Sequence, residues 1–215
     1  AYDIEPEDDR IIKQDYLTVD LEYKKGRCII GNPPFGERNT LLRKFYKKSI
    51  QISDYIAFIL PISQYNNEIS LCEFDLIYSN NLGEIVFSNR TISCCFNIYR
   101  KPNNGIFNKR KIIKLQDIYI EENRRGGRQI NKEVLFDYAM CSYGNTTLGL
   151  TPDYVGQYAK EMYIKINNEN LKEKVVNVLQ GTDWVKVLCF NNKGRKNITQ
   201  HALCKYLKEQ IPELK

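Results

Sequence analysis

The chain has 215 residues, 42% of them hydrophobic and 27% charged, and a formal net charge of +6, a balance that suits one globular domain with a small appendage at most. No apolar run reaches bilayer-spanning length and no signal-peptide pattern occurs. Seven cysteines without any Cys-x-x-Cys, and His201 as the one histidine, leave zinc and haem readings without ligands and make histidine-based catalysis a poor fit. Most of the cysteines read as small core side chains in a reducing cytoplasm.

In chain order, Ala1-Tyr2-Asp3-Ile4-Glu5-Pro6 reads as the end of a strand with acidic residues at its mouth, a pattern a solvated terminus shares. Ile11 to Leu17 is a short apolar strand closing on Asp15-Tyr16-Leu17, where Asp15 on its own reads equally as a helix cap or turn residue. The apolar run Cys28-Ile29-Ile30 then meets Gly31-Asn32-Pro33-Pro34-Phe35-Gly36. Two consecutive prolines remove two backbone donors and fix φ near about −65°, and each keeps the preceding residue out of the helical region. The result is a stiff, extended loop that presents an amide, backbone carbonyls and an aromatic ring in fixed relative positions. A flat ring with a donor edge, such as a nucleobase, suits that arrangement.

Arg38 to Ile52 has helical periodicity, with Leu41, Leu42, Phe45 and Ile52 against Arg43, Lys44, Lys47 and Lys48. Tyr55 to Pro61 is apolar throughout, as a central parallel strand should be, so strand, helix and strand form a crossover unit of an α/β sheet. Ile69 to Tyr78 is read as a further short helix. Leu82 to Ser88 and Thr91 to Tyr99 are read as a hairpin across Asn89-Arg90. A turn cluster at Pro102-Asn103-Asn104-Gly105 marks a boundary, giving a core over 1–104 and an α+β extension over 105–215. In the extension the expected strands are 112–120, 134–140 and 162–166. The expected helices are 171–179 and 198–211, the second capped by Thr199 or Asn197. Lys109, Arg110 and Lys111, and Arg124, Arg125 and Arg128, sit in two basic loops that serve either as solvated surface or as phosphate contacts. Tyr138, Tyr143, Tyr154 and Tyr158 either stack on bases or are ordinary half-buried tyrosines.

Asn32-Pro33-Pro34-Phe35 after a short apolar strand resembles the catalytic loop of the S-adenosylmethionine-dependent methyltransferases that modify the exocyclic amine of adenine. An acidic strand end, Asp-Tyr-Leu and then this loop follow in that family's order within residues 1–35. The resemblance, which covers residues 1 to about 100, implies an α/β fold. The fold it implies is a Rossmann-like methyltransferase sheet, mostly parallel, with a C-terminal antiparallel hairpin. It implies Asp3, with Glu5 beside it, for the cofactor ribose, and Asp15 with Tyr16 for the cofactor adenine. Asn32, Pro33, Pro34 and Phe35 would form the catalytic loop, with Asn32 also bordering the cofactor. S-adenosylmethionine is the implied cofactor and DNA the implied partner, RNA being the alternative. A non-catalytic nucleic-acid-binding subunit with the same fold is the rival from another class.

The resemblance also implies a first strand and glycine-rich turn ahead of the acidic strand, which residues 1–215 lack at that place. The sheet is thus expected to be N-terminally incomplete, with a vacant slot between the acidic strand and the one that feeds Asn32. Unpaired buried backbone groups on both neighbours cost about 1–3 kcal/mol each. Three arrangements avoid that cost. A second chain or separate piece supplies the strand, the N-terminal segment moves into the slot, or a permuted segment around Ser142-Tyr143-Gly144-Asn145-Thr146-Thr147-Leu148-Gly149 fills it.

Overall fold

The computed structural model describes residues 1–87, 90–124, 131, 133–141, 149–151, 160–187, 189–190 and 196–215, the side chains of 124, 149–151, 185, 186, 189, 190, 196 and 197 excepted. The chain divides into two units, Ala1–Arg110 and Lys111–Lys215, a few residues beyond the turn cluster expected to mark the boundary.

The first unit holds β1 (Tyr2–Asp3), β2 (Ile12–Lys13), β3 (Cys28–Gly31), α1 (Thr40–Ile52), β4 (Tyr55–Pro61), β5 (Asp75–Phe87) and β6 (Arg90–Arg100). β4 is central because its residues are apolar on both faces: Ile56, Phe58 and Leu60 are buried on one, and Ala57 and Pro61 on the other. It pairs in parallel with β3 and antiparallel with β6, which pairs antiparallel with β5, in the order β3-β4-β6-β5. The sheet is therefore mixed, with one parallel pair, where a mostly parallel sheet was expected. The expected helix over 69–78 is absent; Asp75 to Phe87 is one long strand. Ile69, Cys72 and Leu76 match a helical spacing, but pairing along β6 decides the segment.

Helix α1 covers the sheet with Leu42, Tyr46, Ser49 and Ile50, a spacing that keeps one stripe inward. Tyr46 is anchored at both ends of its hydroxyl, donating to Leu71 O (3.1 Å) and accepting from Phe74 N (2.9 Å). Its ring meets the edge of Tyr99 at 5.4 Å. Asn97, fully buried, donates to Gln64 O (2.7 Å) and accepts from Ser79 Oγ (2.8 Å), tying β6 to the segment after β4 and to β5. Burial pushes the Cys95 thiol up to about 12, in keeping with a core role.

The second unit contains β7 (Ile118–Arg124), β8 (Tyr138–Cys141), β9 (Gly149–Thr151), β10 (Lys160–Ile166), α2 (Glu169–Gly181), the single turn α3 (Trp184–Val187), the short pair β11 (Cys189–Phe190) and β12 (Lys196–Asn197), and α4 (Gln200–Gln210). Its main sheet, ordered β7-β10-β8-β9, is antiparallel throughout. Ile120, Met162 and Ile164 from the strands share one cluster with Val175, Leu179, Trp184 and Leu203 from the helices. Asn168 caps α2 by accepting from Asn170 N, and Thr199, one of the two expected caps, caps α4 by accepting from Ala202 N. His201 Nδ1 accepts from Ile113 N at 3.0 Å. Among the described residues, no helix is long and apolar enough to cross a membrane.

Candidate functional site: a cleft along the edge of the first sheet

The first unit contains two sheets. β1 and β2 pair in parallel with each other but do not join the four-stranded sheet that ends at β3. Between them lies a cleft of about 910 Å³. Ala1 to Ile4 form one wall and Cys28 to Gly31 the other, with Gln14 to Leu17, Leu21, the loop Asn32 to Phe35, Leu41 and Phe45 of α1, and Phe87 and Ile92 completing the lining. The cleft falls where the vacant slot was expected, and the N-terminal segment does not move in to fill it, since β1 is occupied with β2. The permutation candidate, Ser142 to Gly149, lies outside the described residues, apart from the backbone of Gly149.

Each functional side chain is delivered by the end of a strand. Asp3 closes β1; its Oδ1 accepts from Glu5 N at 2.9 Å, a turn that fixes the carboxylate. Asp15 follows β2 in the same way, with Oδ1 accepting from Leu17 N at 2.9 Å. Both carboxylates are exposed and both line the cleft, whereas Glu5, also exposed, is not among the lining residues. Tyr16 lines the cleft but is held by α1: its ring stacks on Phe45 at 5.4 Å and its hydroxyl pairs with Ser49 Oγ at 2.9 Å. Burial, the largest influence on that phenol, raises its pKa.

The loop behind β3 behaves as the prolines require. Pro33 is buried, which pins the loop, while Asn32 and Pro34 are exposed and Phe35 is half-buried. Phe35 O accepts from Leu42 N at 3.3 Å, seating the loop on the first turn of α1. The chain enters that helix through left-handed residues, Gly36 at φ 68°, Arg38 at 51° and Asn39 at 62°. Gly36 has no substitute here: a Cβ would stand 3.0 Å from both Cγ and the backbone N of Leu41. The start of β3 is fixed by Asp54, whose carboxylate accepts from Gly26 N (2.7 Å) and Tyr23 OH (2.9 Å).

Phe87 and Ile92 are lining residues the sequence did not reveal. Their strands outrun the sheet: the last β4–β6 pair is Pro61 with Cys94, but β5 and β6 stay paired out to Phe87 with Arg90. The overhang brings both side chains to the cleft, and no local pattern signals how far a hairpin projects past its neighbour.

The basic residues lie elsewhere. Asn108 is tied to Glu73 O (2.9 Å) and Asp75 Oδ1 (2.8 Å), and Asp75 stands level with Arg100 and Tyr55, the first residue of β4. Lys109 and Arg110, both exposed, therefore leave the unit near the level of Tyr55, whereas the loop leaves β3 beyond the level of Phe58. Lys111 is exposed at the start of the second unit. Arg125 and Arg128 lie outside the described residues, as do the side chain of Arg124 and, of the tyrosines, Tyr143, Tyr154 and Tyr158; Tyr138 is half-buried in β8.

Two carboxylates at strand ends can accept from a ribose diol and an exocyclic amine, and Phe35, Tyr16 and Phe45 offer ring faces. Among the described residues, no Lys, Arg or His side chain lines the cleft. No family model, no curated protein and no solved structure matches this chain.

Proposed function

We propose that this chain carries the catalytic loop and part of the cofactor pocket of an S-adenosylmethionine-dependent methyltransferase acting on adenine N6 in DNA, in a reducing cytoplasm. One observation carries the reading: Asp3, Asp15 and Asn32-Pro33-Pro34-Phe35, from three separate strand ends, line a single cleft. Ligands of open α/β sheets bind beyond the carboxyl ends of the strands.

In this reading Asp3 takes the ribose hydroxyls of the cofactor and Asp15 its adenine amine, with Tyr16 as a wall. The target adenine is flipped out of the duplex, at a cost of a few kcal/mol, and Phe35 stacks on it. The Asn32 side-chain oxygen and the Pro33 carbonyl accept the two hydrogens of the exocyclic amine. That draws the nitrogen lone pair out of conjugation with the ring. The bound sulfonium supplies an electrophilic methyl and a neutral thioether leaving group. As the new N–C bond forms the amine becomes cationic, and one of its two held protons then passes to solvent. Rigid placement of Asn32 between β3 and the two prolines that follow it limits reorganisation during that step. Lys109, Arg110 and Lys111 then meet phosphates flanking the target rather than the flipped base.

The test is transfer of a tritiated methyl group to DNA and to RNA by the chain, paired with calorimetric titration of S-adenosylmethionine. Asn32→Ala should lower transfer by at least about 10²-fold; a near wild-type rate would falsify the mechanism. A second reading is a non-catalytic nucleic-acid-binding subunit that keeps the fold without a complete cofactor pocket. It predicts nucleic-acid binding with no cofactor heat.

A further inference from the structure

Helix α1 carries a charge pattern that its own fold does not require. From Arg38 to Ser53 the cations are Arg38, Arg43, Lys44, Lys47 and Lys48, and the segment has no carboxylate. The first turn of the helix has no acid and the last turn no base. Neither end is thus arranged to suit the helix dipole, which favours anions at the start and cations at the finish. Arg43 and Lys47 stand four residues apart, and Lys44 and Lys47 three apart. At those spacings like charges are neighbours on the helix surface and repel.

The structure separates the cations that serve the fold from those that do not. Lys48 is committed within the unit: its Nζ donates to Leu17 O (3.1 Å) and to Val19 O, and stands 5.9 Å from the Tyr16 ring centroid. Arg38 lies 3.9 Å from Glu37. Arg43, Lys44 and Lys47 are exposed, and among the described residues none of the three has an ion-pair partner. The acids that flank the helix are engaged, Glu37 with Arg38, and Asp54 with Gly26, Tyr23 and Lys101. At about 100° per residue, the three cations share one outward arc of about 100° with Thr40 and Gln51. All five residues of that arc are exposed and polar. The arc adjoins the cleft, because Lys44 is the surface neighbour of Leu41, three residues before it, and Leu41 and Phe45 line the cleft.

We propose that this outward face of α1 binds the phosphate backbone of a nucleic acid beside the cleft, through Arg43, Lys44 and Lys47. The proposal rests on the nucleic-acid reading above and not on methyl transfer. A helix face that only meets solvent ordinarily mixes both signs of charge; this one keeps three cations that repel one another. From Arg43 to Lys47 the helix rises about 6 Å, close to two phosphate steps of about 3.4 Å along one strand. A membrane surface does not fit. An interfacial helix buries its apolar face in lipid, and here that face, with Leu42, Tyr46 and Ile50, is already buried against the sheet. Nor does an acidic protein, whose docking relies on apolar or aromatic anchors at the centre of the contact, since the arc offers none. Phosphates need only the cations.

The experiment uses the full chain and a fluorescein-labelled DNA duplex of about 20 base pairs, with anisotropy read over a series of salt concentrations. The triple variant Arg43→Gln, Lys44→Gln, Lys47→Gln should lower the slope of log affinity against log salt by about two to three. It should keep the wild-type circular dichroism and unfold at an equal or higher urea concentration, because it removes repulsion and no partner. A charge-matched control, Lys114→Gln, Lys174→Gln, Lys215→Gln, removes three exposed lysines of the second unit and should keep the slope. An equal loss in the control overturns the proposal, because net charge rather than this face would then be read. A lower urea midpoint in the triple variant overturns it by showing that the cations serve the fold. Equal affinity for polyglutamate, lost in the same variant, overturns it in favour of an acidic polypeptide. DNA binding with an unchanged slope overturns it while leaving the nucleic-acid reading in place. No DNA binding by the wild type overturns both, so the two failures are told apart.

Discussion

Two regions of the first unit are made from similar residues and meet opposite fates. On β4 and β6, Ile56, Leu60, Cys94, Cys95 and Tyr99 are fully buried, while on the β1–β3 side Ile4, Ile12 and Ile30 are 63%, 53% and 76% exposed. Hydrophobicity is equal; neighbours are not. β4 has a strand on each side and α1 on one face, whereas β3 has a strand on one side and an open cleft on the other. The exposed side is where the candidate site lies. A strand is thus stabilised by its position in the order of the sheet at least as much as by its composition.

That contrast can be broken most sharply at Leu60. Leu60→Ala removes a fully buried side chain and should cost about 2–5 kcal/mol, read as a lower urea midpoint with unchanged slope. A loss below about 1 kcal/mol would mean that this half is packed no better than the other.

The joint between the halves is Asp54, at the start of β4, which holds the Gly26 turn that leads into β3. Asp54→Asn should cost about 1–2 kcal/mol at neutral pH. The hydrogen bond from Gly26 N–H, the largest influence, holds the Asp54 carboxyl below its ordinary range. A depressed folded value contributes stability fully above the unfolded value of about 4 and loses it as pH falls through the folded value. The gap between wild type and Asp54→Asn should therefore be flat above about pH 5 and shrink toward about pH 3. A gap that widens in acid would refute the assignment.

The smallest effect is expected at Ile30. Ile30→Ala should change stability by no more than about 0.5 kcal/mol, measured in the same urea series. A cost like that of Leu60→Ala would show that Ile30 is buried in solution.

Much of the first unit was legible because its signals are local. The apolar run of β4, the stripe of α1 and the two prolines after β3 each act within a few residues, and so does the order Asp3, Asp15, Asn32. The error over 69–78 arose where a helical spacing of Ile69, Cys72 and Leu76 competed with long-range pairing that no window contains. In the second unit β7 starts at Ile118, later than the expected 112, for the same reason: its start is set by pairing with Ile166 on β10.

The sequence by itself determined the stiffness of the Asn32-Pro33-Pro34-Phe35 loop, because proline geometry is covalent, and the burial of β4, because it is apolar on both faces. Tertiary structure alone decided three things. Asp3 and Asp15 reach the same cleft as Asn32, while Glu5 does not. The β5–β6 hairpin outruns β4 and adds Phe87 and Ile92. Lys109 and Arg110 leave the unit near the level of Tyr55. Each depends on which strand lies beside which and in what register, and hydrogen bonds between distant segments set that order, where residue types along one strand cannot.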